Sequence, residues 1–247
     1  MKRRTKIQLL ALPAMIVAGY AAALVGLGFG FPRQEPIPIG PDDAVTEVRG
    51  SRIRYRAIDG SGPPILLVHG NNLSIDDWEP MIRHLKGRRI VALDLIGYAG
   101  SDRPPGLTYD IECQRQYLIE FIERMQLPPP VLVGHSMGGA VVAWTAAKSG
   151  NRLSAAAIIA PPGVPGSLVY RWPKSWLCRP GLINRCGFFL ADTGLFRSLF
   201  PNTLAPQGLG VTGSYSDQYA EALRDIGIPT LLVWSPGDTR CLISYAD

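Results

Sequence analysis

The apolar run Val131-Leu132-Val133 ends at Gly134-His135-Ser136-Met137-Gly138, and Gly139-Ala140-Val141-Val142-Ala143-Trp144 follows at once. Few local patterns restrict a backbone so strongly. The first stretch reads as a buried strand and the last as a helix, with only a sharp turn between them. Residues flanking such a turn must be small, and Gly134, Gly138 and Gly139 supply that room because they lack a Cβ. In this strand–turn–helix setting, G-x-S-x-G predicts a strained elbow that lifts the Ser136 hydroxyl out of the sheet. The helix start just beyond offers unpaired N–H groups to a developing negative charge. Ser136 is the candidate nucleophile. Taken alone, the motif also fits an ordinary glycine-rich turn.

From about Val45 the chain alternates between strand and helix patterns, the mark of an α/β fold. Val45–Arg49 and Arg52–Ile58 read as a strand pair joined at Gly50. Ile65–Val68, bounded by Pro63-Pro64 and Gly70, reads as a central parallel strand. Asp76 to Leu85 fits a helix with an acidic first turn. Ile90–Leu93 is the next strand, and Tyr109 to Met125 a helix with Ile111, Leu118, Ile119, Phe121 and Ile122 on one face. Ala155–Ala160 and Thr230–Trp234 complete the visible strands. Between Pro161 and about Asp225 the alternation stops, and bulky residues such as Trp172, Trp176, Phe188 and Phe200 gather. A connection of that length with its own apolar residues predicts a cap over the Ser136 side.

The N-terminus has a different character. Lys2, Arg3, Arg4 and Lys6 precede an uncharged stretch from Ile7 to Phe31. A membrane span needs roughly 20 apolar residues, and the core of a cleaved signal roughly 7–15. Residues 1–31 are therefore expected to form an uncleaved signal anchor. Cleavage near Ala21-Ala22-Ala23, giving a secreted protein, is the alternative. Basic residues stay on the cytoplasmic side, so a single-pass protein with an extracytoplasmic domain is expected. Residues 32–44 read as a proline-rich linker, and 45–247 as the domain.

The formal net charge is +5 over 247 residues, but apart from the N-terminus the basic residues are scattered. No nucleic-acid surface is implied. The four cysteines, Cys113, Cys178, Cys186 and Cys241, form no zinc-type spacing. Cys178 and Cys186 could close a small loop in an oxidising compartment, or stay as free thiols. Neither a metal nor an organic cofactor is implied.

A seryl hydroxyl needs a base to take its proton and donors for the oxyanion it creates. The Met137 N–H follows the nucleophile directly. The second donor is expected from the loop His69-Gly70-Asn71-Asn72, with the Asn71 N–H as the choice. The His69 side chain is read as structural support for that loop. Asp238 follows the strand Thr230–Trp234 after Ser235-Pro236-Gly237, where a carboxylate could orient an imidazole. Pro-Gly-Asp is also good turn chemistry.

His69-Gly70-Asn71, the segment from Asp94 to Pro104, Gly134–Gly139 and Trp234–Asp238 occur in an order that resembles the α/β-hydrolase fold superfamily. The resemblance covers about Val45 to Asp247. It implies a mostly parallel sheet flanked by helices with an inserted cap at about 161–225. It implies a serine hydrolase of ester-like bonds, and it makes Asp94 a turn residue rather than the triad acid. Ser136 at the elbow is unlike dehalogenases and soluble epoxide hydrolases, which use a carboxylate nucleophile. It is closest to serine esterases, cofactor-free haloperoxidase-like proteins and carbon–carbon bond hydrolases.

The family places its catalytic histidine after the acid, but the only histidines here are His69, His84 and His135. The sequence is thus expected to be a truncated hydrolase or a short form with little turnover. An uncovered sheet edge is expected with it. A small-molecule partner, an apolar acyl or aryl ester, is expected from the bulky cap residues. A non-catalytic binding or scaffold protein, or a lyase or acyltransferase on the same fold, stays open.

Overall fold

Alternation along Asp43–Val48 and Ser51–Ile58 makes two strands, β1 and β2, that close as an antiparallel hairpin. Arg49 and Gly50 form its turn, both at positive φ (52° and 71°). That backbone matches the twist of the flanking strands, and Gly50 enters it at no steric cost. The computed structural model describes residues 39–104, 107, 109–162 and 223–235.

β3 spans Ser61–Val68 and begins earlier than Pro63-Pro64 suggested. Its first residues are exposed, and the pairing with β4 shifts register between Ser61 and Ile65. Prolines survive there because a bulged strand end does not need their missing N–H groups. The single helix expected over 76–85 is not formed. A 3₁₀ turn over Ile75–Trp78 leads into a short helix, α1, over Glu79–Ile82. Pro80, in the first turn of α1, marks the restart, since proline suits a helix start but not its interior. Ser74 and Asp77 cap the 3₁₀ turn reciprocally.

β4 follows over Arg88–Leu93, then helix α2 over Ile111–Arg124. α2 starts two residues later than its pattern suggested. Tyr109 sits at φ 54°, and the Asp110 side chain accepts from the Cys113 N–H as the N-cap. β5 (Val131–His135) runs into α3 (Met137–Ser149), and β6 (Ala155–Ile159) and β7 (Thr230–Val233) follow.

The sheet order is β1-β2-β4-β3-β5-β6-β7. β1–β2 and β2–β4 are antiparallel, and the remaining pairs parallel. The strand period of two sorts the core cleanly. Leu66, Val68, Val91, Leu93 and Leu132 point to the face covered by α2 and α3, joining Leu118, Phe121, Val141 and Val142. Leu67, Ile90, Ala92 and Val133 point to the other face, with Ile75 and Trp78. β7 is the edge strand of the described sheet, and Leu231 and Leu232 on it are 60% and 51% exposed.

Among the described residues no helix is long and apolar enough to cross a membrane. The Ile7–Phe31 segment, most of the cap and Asp238 lie outside the described residues, as do Cys178, Cys186 and Cys241. Cys113 is a free thiol.

Candidate active site

The elbow forms where β5 gives way to α3. Ser136 stands at φ 53°, a left-handed conformation that a side chain adopts only under constraint. Its N–H donates to the Ile159 carbonyl at 2.9 Å, and its own carbonyl accepts from the Ala140 N–H at 3.1 Å. One bond ties the turn to β6 and the other starts the helix. The residue is half-buried, so it is neither sealed in the core nor out on the surface.

The glycines are required by clearance. A Cβ on Gly134 would lie 2.3 Å from the Gly138 carbonyl oxygen, and one on Gly138 would lie 2.2 Å from that of Val68. A Cβ on Gly70 would stand 3.1 Å from the Ser136 Cβ. The end of β3 and the elbow are therefore pressed backbone to backbone, bringing Gly70 beside Ser136.

The loop after β3 is fixed by His69, which is fully buried. Its Nε2 accepts from the Leu95 N–H at 3.0 Å and its Nδ1 lies 2.7 Å from the Gly70 carbonyl oxygen. An accepting Nε2 puts the ring proton on Nδ1, which then donates to Gly70. Burial holds the His69 pKa below its ordinary value, so this neutral form is the stable one. Structural support is the role expected of it, and both nitrogens are engaged in it.

Asp94 does more than the expected turn residue. It is completely buried, and Oδ1 accepts from the Ile75 N–H at 2.8 Å. Oδ2 accepts from the Gly100 N–H at 2.9 Å and from Arg54 Nη1 at 3.1 Å. Burial raises its pKa, opposed by the Gly100 N–H, Arg54 and the Ile75 N–H. The loops after β3 and β4 are thereby fastened to β2. His69 Nε2 is 4.0 Å from Asp94 Oδ1, but that nitrogen carries no proton to share.

Arg54 and Arg56 are the residues that sequence reasoning missed. Arg54 is 3% exposed and donates to Asp43 Oδ2 from Nε (2.9 Å) and Nη2 (2.5 Å). Arg56 bridges Asp43 and Asp76, each at 2.8 Å. Burial works to raise the Asp43 pKa, but the hydrogen bonds from Arg54 and Arg56 outweigh it and hold that carboxyl below its ordinary range. The available signal was Arg52, Arg54 and Arg56 at strand spacing, opposite Asp43, Asp76 and Asp94.

Tyr98 joins the two loops beside the elbow. It is fully buried, with its hydroxyl 2.9 Å from Asn71 Oδ1 and 3.3 Å from Met137 Sδ. Asn71 is exposed, whereas Met137 is buried and opens α3. Asp238 is outside the described residues, but the strand before it is placed. The Ala160 N–H donates to the Val233 carbonyl at 2.9 Å, so the end of β7 lies one strand from the Ser136–Ile159 bond. His84 is exposed after α1. Among the described residues no group of three or more His, Cys, Asp or Glu side chains could hold a metal ion.

A family model described as alpha/beta hydrolase fold matches residues 63–177, the stretch from β3 through both loops and the elbow. A bifunctional epoxide hydrolase 2 of Rattus norvegicus is 34% identical over 119 residues, 45% of this chain and 21% of that protein. A dihydrolipoyllysine-residue acetyltransferase component of the acetoin cleaving system of Cupriavidus necator is 27% identical over 233 residues, 84% of this chain and 62% of that one. The chain thus spans less than two thirds of the length of either relative. A solved structure described as a membrane phospholipase A, a bacterial virulence factor, is 28% identical with a TM-score of 0.56, covering 100% of this chain and 86% of that one. Since the matched segment is the one that builds the elbow, and the strands around it form the mostly parallel sheet of that fold, the described part of the chain has the α/β-hydrolase fold.

Proposed function

We propose that this chain is a serine hydrolase of ester-like bonds, with Ser136 as nucleophile. The observation that carries the reading is a half-buried serine at φ 53°, lifted off β5 and backed by Gly134 and Gly138, where a Cβ would crowd backbone carbonyl oxygens at 2.3 and 2.2 Å. Its Oγ would attack the ester carbonyl carbon and its proton would pass to a base. The carbonyl oxygen would gather charge between the backbone N–H groups of Met137 and Asn71. Met137 is the first residue of α3, so its N–H has no carbonyl partner within the helix. Pre-aimed donors of this kind contribute about 10²–10³ in rate each.

Asp238 would orient the imidazole that acts as base. His69 does not serve, because both of its nitrogens are spent on the β3 and β4 loops. A serine at the elbow favours acyl chemistry over the carboxylate-nucleophile chemistry of epoxide hydrolases and dehalogenases. The phospholipase likeness, together with the apolar Ile7–Phe31 segment, supports an apolar acyl ester as substrate and a membrane-anchored domain outside the cytoplasm. The acetyltransferase likeness supports the second reading, acyl transfer from the same serine.

Reaction with a fluorophosphonate tests the nucleophile directly. Stoichiometric labelling of the full chain that disappears in Ser136→Ala is expected. Equal labelling of the two would end the proposal.

A further inference from the structure

Three loops meet at the elbow, and one side chain from the third binds the other two. Tyr98 lies in the β4 loop, where its N–H donates to the Leu95 carbonyl at 3.0 Å and its carbonyl accepts from the Ser101 N–H at 2.9 Å. Its ring meets His69 edge-on at 5.4 Å, and His69 in turn accepts from Leu95. The phenol is therefore rigid from Cα to ring. Its polar tip emerges between Asn71 Oδ1 and Met137 Sδ. A hydroxyl has one proton to give, and the amide oxygen is the stronger acceptor of the two.

We propose that the Tyr98 hydroxyl is a positioning group that sets the spacing of Asn71 and Met137, so that their backbone N–H groups converge on one oxyanion. The inference rests on the reading of Ser136 as nucleophile. The two donors belong to segments that are far apart in sequence. Glycine clearance fixes how closely the backbones approach at Gly70 and Gly138, but Asn71 is already past that contact and exposed. The next residue, Asn72, sits at φ 59°, so the chain turns away at once. The Tyr98 hydroxyl fastens the Asn71 side chain and touches the Met137 side chain from the same point. Removing that oxygen leaves the buried ring in place and releases the Asn71 side chain beside the donor N–H.

The test uses the full chain and four variants: Tyr98→Phe, Asn71→Ala, their combination and Ser136→Ala. The first readout is the rate at which a fluorophosphonate, whose phosphoryl oxygen takes the oxyanion position, labels Ser136. The second is the concentration of reagent that half-saturates that rate. Tyr98→Phe and Asn71→Ala should each slow maximal labelling about tenfold, a fraction of the loss of a whole donor. Half-saturation should move by less than about twofold, because ground-state binding is untouched. The double variant should be no slower than either single one, since both remove one bond. Labelling of Tyr98→Phe at the parental rate, or losses that multiply in the double variant, would overturn the positioning role while leaving the nucleophile in place. Labelling of Ser136→Ala at the parental rate would overturn the nucleophile reading, and the positioning role with it.

Discussion

Gly138 and Val68 approach so closely that a Cβ on the glycine would stand 2.2 Å from the Val68 carbonyl oxygen. The blocking atom belongs to the backbone of a central strand, so no side chain can swing aside. Gly138→Ala is expected to destabilise the domain by about 1–3 kcal/mol, the range for forced overpacking. Urea unfolding should show this as a lowered midpoint with an unchanged slope. Fluorophosphonate labelling of Ser136 should fall in the same variant, because elbow and β3 loop must separate.

Arg54 gives a sharper contrast. It reaches Asp43 and Asp94 with every group buried. Replacing it with methionine fills the volume but leaves the buried Asp94 without its arginine and Asp43 with Arg56 alone. Breaking a buried pair from one side costs about 3–5 kcal/mol, so Arg54→Met should approach the limit of what a domain tolerates. Arg152→Ala removes the exposed pair with Glu123 and should cost less than about 1 kcal/mol. Denaturant midpoints for the two variants compare them directly.

Acid should act through Glu112. Hydrogen bonds from Arg115, Trp144 and Gln116 hold its pKa at about 2, below the ordinary value of 4.5, against the opposing effect of burial. A depressed carboxylate stabilises fully above its unfolded pKa and loses that contribution as pH falls through the folded one. Stability should therefore decline between pH 4.5 and about 2. Glu112→Gln should flatten that part of the profile, as read by denaturant midpoints at pH 5, 3.5 and 2.5.

His69 acts in a higher window. Its folded pKa lies below the unfolded value of 6.5 because the ring is buried. Once pH drops under 6.5 the unfolded chain binds a proton that the native one refuses, so stability falls with acidification. The slope from this group has a ceiling of about 1.4 kcal/mol per pH unit. His69→Gln should remove it, at the expense of a lower midpoint at pH 8.

Added imidazole offers a separate check on the catalytic proposal. If Ser136 lacks only a base, imidazole at tens of millimolar should raise p-nitrophenyl ester turnover by about tenfold or more. Imidazole also hydrolyses such esters unaided, so the comparison is with Ser136→Ala under the same conditions. Equal rates in the two proteins would remove Ser136 from the reaction.

The sheet and the elbow were legible because they announce themselves locally. Alternation along β2, apolar runs at β3, β4 and β5, and glycines around Ser136 each carry their own physical reason. His69 was legible too, since a histidine at a strand end has loop groups to satisfy. The charge cluster was not. Along β2, Arg52, Arg54 and Arg56 alternate as a solvent-facing stripe would, yet only Arg52 is exposed. What buries Arg54 is Asp43, Asp76 and Asp94, carried by other segments. Tyr98 escaped for the same reason. Its meaning lies in two partners from separate loops, and no spacing within its own segment points to them. The helix expected over 76–85 failed locally, because Pro80 restarts the helix inside that window.

The pairing of β6 with β7 has a consequence for biogenesis. The two strands are neighbours in the sheet, but the whole 160–229 stretch must be translated between them. On the ribosome the elbow can form while the strand leading to Asp238 is still unmade. A nascent chain would thus carry Ser136 already seated on its turn, and the edge strand would have to find its place beside β6 afterwards.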